Sequence, residues 1–478
     1  MAARRPTPFL LAAAAAALLP AAAQAAAPMP QLATAEQLRD RATFGDDISS
    51  AWLSELTTRF GPRPAGSANE RAAAEWSAAR LKALGFENVE IQTFPITAWI
   101  RGPEKAELIA PIAQPLAAAS LGESPPTPPG GLEAEVVSFP TLEDLMAVPD
   151  GSLAGKIVLV NRPMTRTTDG EGYGPISRIR TRGPIIAAHK GAVAFLLRSA
   201  GTDSHRLPHT GTTGYENGKA PIPAFALSVP DAEQMARLKA LGETIRVRLV
   251  SNARYDASAH SQNVIAEIKG REHPEEVVLL GAHLDSWDLG TGAIDDGSGD
   301  AIVVAAAKLI KDLPQRPRRT IRVVLYGSEE IAQPNPPFGA FGGHAYLDAR
   351  KATVPQHVIA GESDLGADRI YRLTLPKGST ASDFGQAAIR LMAPIKVLVR
   401  DGEAEGGEDV GPTIEAGAPA FDLNQDASAY FDIHHTADDT FDKVDKAQMD
   451  QNVAAWAGLV WLIADSDVDF RALEKAAK

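Results

Sequence analysis

The sequence predicts an α/β protein: a mixed, mostly parallel sheet flanked by helices, with a separate α+β unit inserted into it. Three observations carry that reading. From about residue 258 onward, apolar runs of strand length alternate with helix-length segments, the rhythm of strands linked by crossing helices. Between about residues 100 and 255 that rhythm gives way to short strands, with Ala-, Pro- and Gly-rich sequence near 110–130. The chain is also long and apolar enough to fill more than one core, with 478 residues of which 45% are hydrophobic. At about 100–200 residues per domain, that length allows two to three domains.

Residues 1–25 have the three parts of a secretory signal peptide: basic Arg4 and Arg5, an apolar run over 9–19, and the small-x-small site Ala23-Gln24-Ala25. The apolar run is eleven residues long, well short of the roughly 20 that span a bilayer. The mature chain is therefore expected to start near Ala26 and to be exported, periplasmic or secreted. The arginine pair leaves the twin-arginine route open beside the general one. No later stretch has the length of a membrane span.

Residues 26–99 open the main domain. Leu38, Trp52, Leu53, Leu56 and Phe60 are the apolar points of a helical stretch over 34–60. Ser67-x-x-Glu70 is a capping box, so a helix runs from there to Leu84, with Gly85 as its stop. Val89, Ile91 and Thr93 alternate with Glu90 and Gln92, which predicts a strand. Residues 100–255 form the inserted unit, with strands predicted at 156–160, 192–197, 222–227 and 245–249 and helices near 185–190 and 231–241. Residues 256–478 return to the main domain. Strands are predicted at 264–268, 277–281, 321–326, 357–360 and 418–423, and helices at 298–313 and 446–464.

Charge and composition exclude several function classes. The balance of 47 Lys and Arg against 60 Asp and Glu gives a net charge of −13, which argues against a nucleic-acid backbone or an anionic membrane as the partner. There is no Cys, so disulfides, thiolate-held zinc, iron–sulfur clusters and thiol nucleophiles are excluded. Any bound metal must be held by His, Asp and Glu.

Five local signals of that kind stand at or near predicted strand ends. They are His283-Leu284-Asp285, Asp295-Asp296-Gly297, Glu329-Glu330, Glu362-Ser363-Asp364 and His434-His435 with the following Asp438-Asp439-Thr440. Each alone has an ordinary explanation. Paired acids are usually solvated surface, and a His after a buried strand is usually a hydrogen-bonded structural residue. In open α/β sheets, however, sites form outside the carboxyl ends of the strands, so these segments converge. The converging imidazoles and carboxylates suit zinc, manganese or cobalt, and a carboxylate-bridged pair of ions is typical of hydrolases.

At these residues the sequence resembles peptidase family M28, the co-catalytic zinc peptidases. The flavour is closest to the carboxypeptidase Q branch, through His283-Leu284-Asp285-Ser286-Trp287-Asp288 and the stretch 431–440. The resemblance covers nearly all of the mature chain, and residues 100–255 resemble a protease-associated (PA) domain. It implies two zinc ions bridged by Asp295, with His283 and Asp364 completing one site and Glu330 and His435 the other. His435 is preferred to His434 because it stands four residues before Asp439, the spacing of the family's ligand. Glu329 would be the general base and Asp285 would orient His283; a cis Asp295–Asp296 peptide is also implied. The implied activity is hydrolysis of dipeptides or terminal residues of short peptides by a hydroxide shared between the metals.

The resemblance leaves open whether cleavage proceeds from the amino or the carboxyl terminus. It also implies a homodimer. Two other classes share the fold: a single-zinc acyltransferase like the glutaminyl cyclases, and a non-catalytic binding protein. A complete set of ligand and base positions argues against both. Tyr430 is either an oxyanion donor or a packed core tyrosine. The Pro-rich stretch 331–339 is longer than the short Gly-containing loop usual in the family, and is either a pocket wall or a surface insertion.

Overall fold

The computed structural model describes residues 29–45, 47–334 and 337–477. The predicted signal peptide lies outside the described residues. The first helical stretch is two helices, Pro30–Gly45 and Ile48–Phe60, instead of one. Gly45 is a poor helix residue at the break, and the two halves pack in different places. The first lies along the long helix Lys446–Ala464 and the second against Ser298–Lys311. The third helix, Ala68–Ala83, starts as predicted: Ser67 Oγ accepts from the Glu70 amide at 3.1 Å. Glu70 turns its carboxylate back onto the Gly66 amide at 2.6 Å, one residue before the usual capping-box target. Gly85, at φ 86°, ends the segment in the left-handed conformation that a side chain disfavours.

The main sheet has five strands, in the order Glu87–Pro95, His260–Ile268, Arg319–Tyr326, His273–His283 and His357–Glu362. The last three pair in parallel and the first two join antiparallel, so the sheet is mixed, as predicted. Alternation along the strands separates two cores. Val278, Leu280 and Ala282, with Ile321, Val323 and Leu325, face a large helical layer. Val277, Leu279, Val324 and Tyr326 face the other way, toward Tyr346 of the helix Phe341–Arg350 and Val410. Lys446–Ala464 is buried on all sides from Met449 onward, in keeping with a sequence that is apolar around its whole circumference from Val453.

Beyond Ala360, which bridges to Ala420, a small sheet continues the layer. In it Ile370–Leu375 lies between Leu398–Asp401 and Asp422–Gln425. The strand predicted over 418–423 thus forms a little later in the chain, at Asp422–Gln425.

Between Glu87–Pro95 and its neighbour His260–Ile268, the chain leaves and returns through the antiparallel pair Ala98–Ile100 and Arg254–Asp256. The intervening residues build an eight-stranded sheet of their own. Ile157–Val160, Ala194–Arg198 and Ala224–Leu227 pair in parallel, and Arg246–Ser251 joins Glu104–Ala110 to Leu132–Phe139. Two small cores cover its faces, Ile157, Leu159 and Leu196 on one and Val158, Val160 and Leu197 on the other. The helix predicted near 185–190 extends over Gly174–His189 and carries Pro184 within it. Among the described residues no helix is long and apolar enough to cross a membrane.

Candidate metal centre

His283 is the last residue of the central strand His273–His283. Glu329 and Glu330 follow Arg319–Tyr326, and Asp364 follows His357–Glu362. Three neighbouring parallel strands therefore deliver their side chains to one rim. Asp295 comes from the turn before Ser298–Lys311, and His434 and His435 lie just past the helical turn Tyr430–Asp432.

All of these residues meet. The Asp295 carboxylate faces two imidazoles, with Oδ1 3.2 Å from His283 Nε2 and Oδ2 3.1 Å from His435 Nε2. His283 Nε2 is also 3.4 Å from Asp364 Oδ1, and His435 Nε2 is 3.1 Å from Glu330 Oε2. Within this cluster, three groups of donors lie close enough together to hold an ion: His283 with Asp295 and Asp364, His283 with Glu329 and Glu330, and Asp295 with His434 and His435. His434, set aside in the sequence, thus comes close too: its Nε2 is 3.6 Å from Asp295 and its ring stacks on His435 at 3.5 Å.

The carriers of these side chains are themselves held. Asp439 accepts from the amides of Ala293 at 2.8 Å, Ile294 at 2.6 Å and Asp295 at 3.3 Å, fixing the turn whose Asp295–Asp296 peptide is cis. Asp296 spans the amides of His283 and Gly299, each at 3.0 Å. Asp285 differs in detail from the prediction. His283 Nδ1 donates to the Asp285 backbone carbonyl at 3.0 Å, whereas the carboxylate Oδ1 stands 3.7 Å away. The carboxylate is engaged by the Glu329 amide at 3.1 Å and the Glu330 amide at 3.3 Å. Ser328 and His435 adopt left-handed φ of 58° and 62°, costly for side chains other than Gly and common where a site dictates the backbone.

The loop of the inserted unit between Ala194–Arg198 and Ala224–Leu227 reaches into this centre. His435 Nδ1 donates to the Thr210 carbonyl at 3.3 Å, while the Thr210 amide donates to the His435 carbonyl at 3.0 Å. Thr212 Oγ1 donates to the Glu330 carbonyl at 2.8 Å. A carbonyl behind an imidazole fixes which ring nitrogen is free to bind a metal. These partners lie more than 110 residues from the groups they hold, 225 for Thr210 and 118 for Thr212, and no local pattern announces them. Arg63, fully buried beneath the rim, donates to the carbonyls of Leu284, Thr291 and Gly292; it too escapes sequence reading.

Charge makes the cluster suitable for cations. Burial pushes the carboxyls of Glu329 and Asp364 above their usual range, and Glu330 up to about 7. Burial works against the charged form of His283 and His435, yet Asp364 and Glu330 beside them hold both imidazoles well above the ordinary value. So many buried acids need compensating positive charge. Glu330 Oε1 is buried with no hydrogen-bond partner among the described residues, as a free ligand atom would be. Oxygen and imidazole donors without sulfur fit divalent transition ions. A cavity of about 330 Å³ opens over the cluster, lined by Asp295, Glu329, Glu330, Asp364, Tyr430 and His435. Tyr430 packs against Phe431 and His434. The Pro-rich stretch is partly a wall: Gly339 lines an adjoining cavity, while Ile331 joins a small core with Trp99 and Trp287.

Residues 263–460 match the profile of peptidase family M28. Over 415 residues the chain is 36% identical to carboxypeptidase Q of Mus musculus, covering 87% of this chain and 85% of that one. Carboxypeptidase Q of Bos taurus is 37% identical over 416 residues, 86% of this chain and 84% of that one. Among solved structures, the peptidase M28 precursor of Shewanella amazonensis superposes with a TM-score of 0.88 at 42% identity, over 92% of this chain and 98% of that one. A zinc aminopeptidase of Bacillus subtilis shares the fold, with a TM-score of 0.62 at 19% identity over 88% of this chain and 96% of that one.

Proposed function

The chain belongs to peptidase family M28, and on that premise we propose that it is an exported zinc exopeptidase that removes one residue from short peptides or splits dipeptides at a two-zinc centre. The observation that carries the reading is the Asp295 carboxylate standing between two sets of donors, His283 with Asp364 on one side and His435 with Glu330 on the other. His435 is preferred to His434 because its Nε2 faces both Asp295 and Glu330. The inserted sheet is read as a PA-like domain over 100–255.

Bound zinc supplies Lewis acidity, which polarises a carbonyl oxygen and makes water a nucleophile near neutral pH. The protein supplies the rest. Glu329 lines the cavity beside the ligand Glu330, with its backbone pinned by Asp285. Its carboxylate takes the proton of the attacking water and passes it to the leaving amine. The same carboxylate holds the proton between the two events. Asp285, Asp439 and Thr210 act as positioning groups, keeping the donors fixed so that little reorganisation accompanies the reaction.

The zinc-loaded protein is expected to hydrolyse free dipeptides, to lose activity to a chelator and to regain it with added zinc. Hydrolysis that survives complete zinc removal would overturn the assignment.

A further inference from the structure

Resting on the peptidase reading above, we propose that Arg180 of the inserted sheet's helix Gly174–His189 binds the free α-carboxylate of the substrate, so that the enzyme acts on peptides ending next to the scissile bond. Arg180 is 7% exposed and lines the same 330 Å³ cavity as Asp295, Glu329 and His435. Its Nε donates to the Thr212 carbonyl at 3.1 Å and its Nη1 to the Tyr173 hydroxyl at 2.6 Å. The guanidinium also lies over the Tyr173 ring, 5.4 Å from its centre. A Cβ at Gly211 would fall 2.1 Å from Arg180 Nη1, so glycine there leaves the room the group occupies.

Three hydrogen-bonding and packing partners fix this side chain, and none of them neutralises it. Among the described residues no carboxylate lies within ion-pair distance of Arg180, and its Nη2 has no acceptor. The unpaired end of the guanidinium opens on the cavity, where an anion can pair with it. The planar fork of Arg matches a carboxylate. Ser177, one turn earlier on the helix, lines the cavity and can add a hydroxyl donor.

The rest of the cleft has the opposite sign. It continues past Glu329 and Glu408 into a cavity of about 560 Å³ walled by Glu362, Glu405, Glu415 and Asp422. Arg180 is the one Lys or Arg lining either cavity among the described residues. A short peptide with a free amine and a free carboxylate is attracted in one direction only, with its carboxylate at Arg180 and its amine toward the acidic wall.

The test compares alanyl-alanine, its C-terminal amide and alanyl-glutamyl amide. Wild type is expected to favour the free acid over the amide by about 100-fold or more in kcat/KM. Arg180→Ala should collapse that ratio at least about 10-fold, mainly through KM, with Arg180→Lys in between. In the Glu329→Gln background, where turnover is blocked, titration of the same three peptides should show the same order of affinity, also lost on adding Arg180→Ala. Equal use of acid and amide by wild type, or equal loss of both in Arg180→Ala, would overturn the proposal. So would a preference for alanyl-glutamyl amide over the other amide, which would place a side-chain carboxylate at Arg180. If nothing is hydrolysed yet the titrations still rank the free acid first, the peptidase reading fails and the carboxylate site stands.

Discussion

At the scale of single residues, groups proposed to hold metal and the one proposed to move a proton should fail differently. Glu329→Gln is expected to lower kcat by about 10²–10⁴-fold with zinc content unchanged, measured by elemental analysis beside steady-state kinetics. His435→Ala should lose one zinc per chain, whereas His434→Ala, whose ring lies 3.6 Å from Asp295, should keep both. The reverse result would exchange the two histidines. Legibility at this scale follows from locality. His283, Asp295, Glu329, Glu330 and Asp364 were legible as candidates because each ends or follows a strand or stands just before a helix, whereas His435 lies past a helical turn and was singled out only through the resemblance, by its spacing to Asp439. Asp285 was readable as a neighbour of His283, but which of its oxygens does the holding was not, because its carboxylate is drawn to the amides of Glu329 and Glu330, 44 and 45 residues away. Thr210 and Arg180 carried no signal, since they become neighbours of the centre only when the inserted sheet docks.

Elements set how firmly those residues stand. Asp439 gathers three amides of the turn that presents Asp295, and Asp439→Ala should weaken zinc affinity by about 10–100-fold, read by competition with a calibrated chelator. The opposite end of the strand His357–Glu362 gives a pH prediction. His357 Nδ1 donates to the Thr353 carbonyl at 3.2 Å, and its Nε2 accepts from the Tyr346 hydroxyl at 2.8 Å, which itself accepts from Arg322 at 2.8 Å. Both nitrogens are thus committed in the neutral form. Burial, with Arg322 nearby, lowers its pKa from 6.5 to about 4. The unfolded chain takes up this proton below about pH 6.5 and the folded one only near pH 4, so the stability tied to His357 is full above pH 6.5 and falls as the pH drops toward 4. The loss amounts to about 3 kcal/mol. Urea unfolding at pH 7 and 4.5 should show a smaller decline for His357→Gln than for wild type; an equal decline would remove His357 as the cause. Helices were legible where apolar periodicity was strong, as in Ser298–Lys311, or where the apolar run was long enough to need a helix, as in Lys446–Ala464. The first helix pair was not resolved, because the break at Gly45 leaves the apolar pattern on either side looking continuous.

The whole molecule joins two sheets through one centre. The main sheet supplies the donors, and the inserted sheet supports His435 through Thr210, fastens Glu330 through Thr212 and brings Arg180 to the cleft. Metal bound only by the folded state adds stability, about 2.7 kcal/mol when free zinc stands 100-fold above its Kd. Removal of zinc should therefore lower the Tm as well as activity, and part of the net −13 charge belongs to a site that cations neutralise. The two-zinc centre is tested most directly by the zinc content of the purified, zinc-equilibrated protein and of its Glu329→Gln variant. Two zinc ions per chain are expected in both, with hydrolysis in the first and almost none in the second. One zinc or none in the wild type, or a Glu329→Gln variant as active as the wild type, would contradict it.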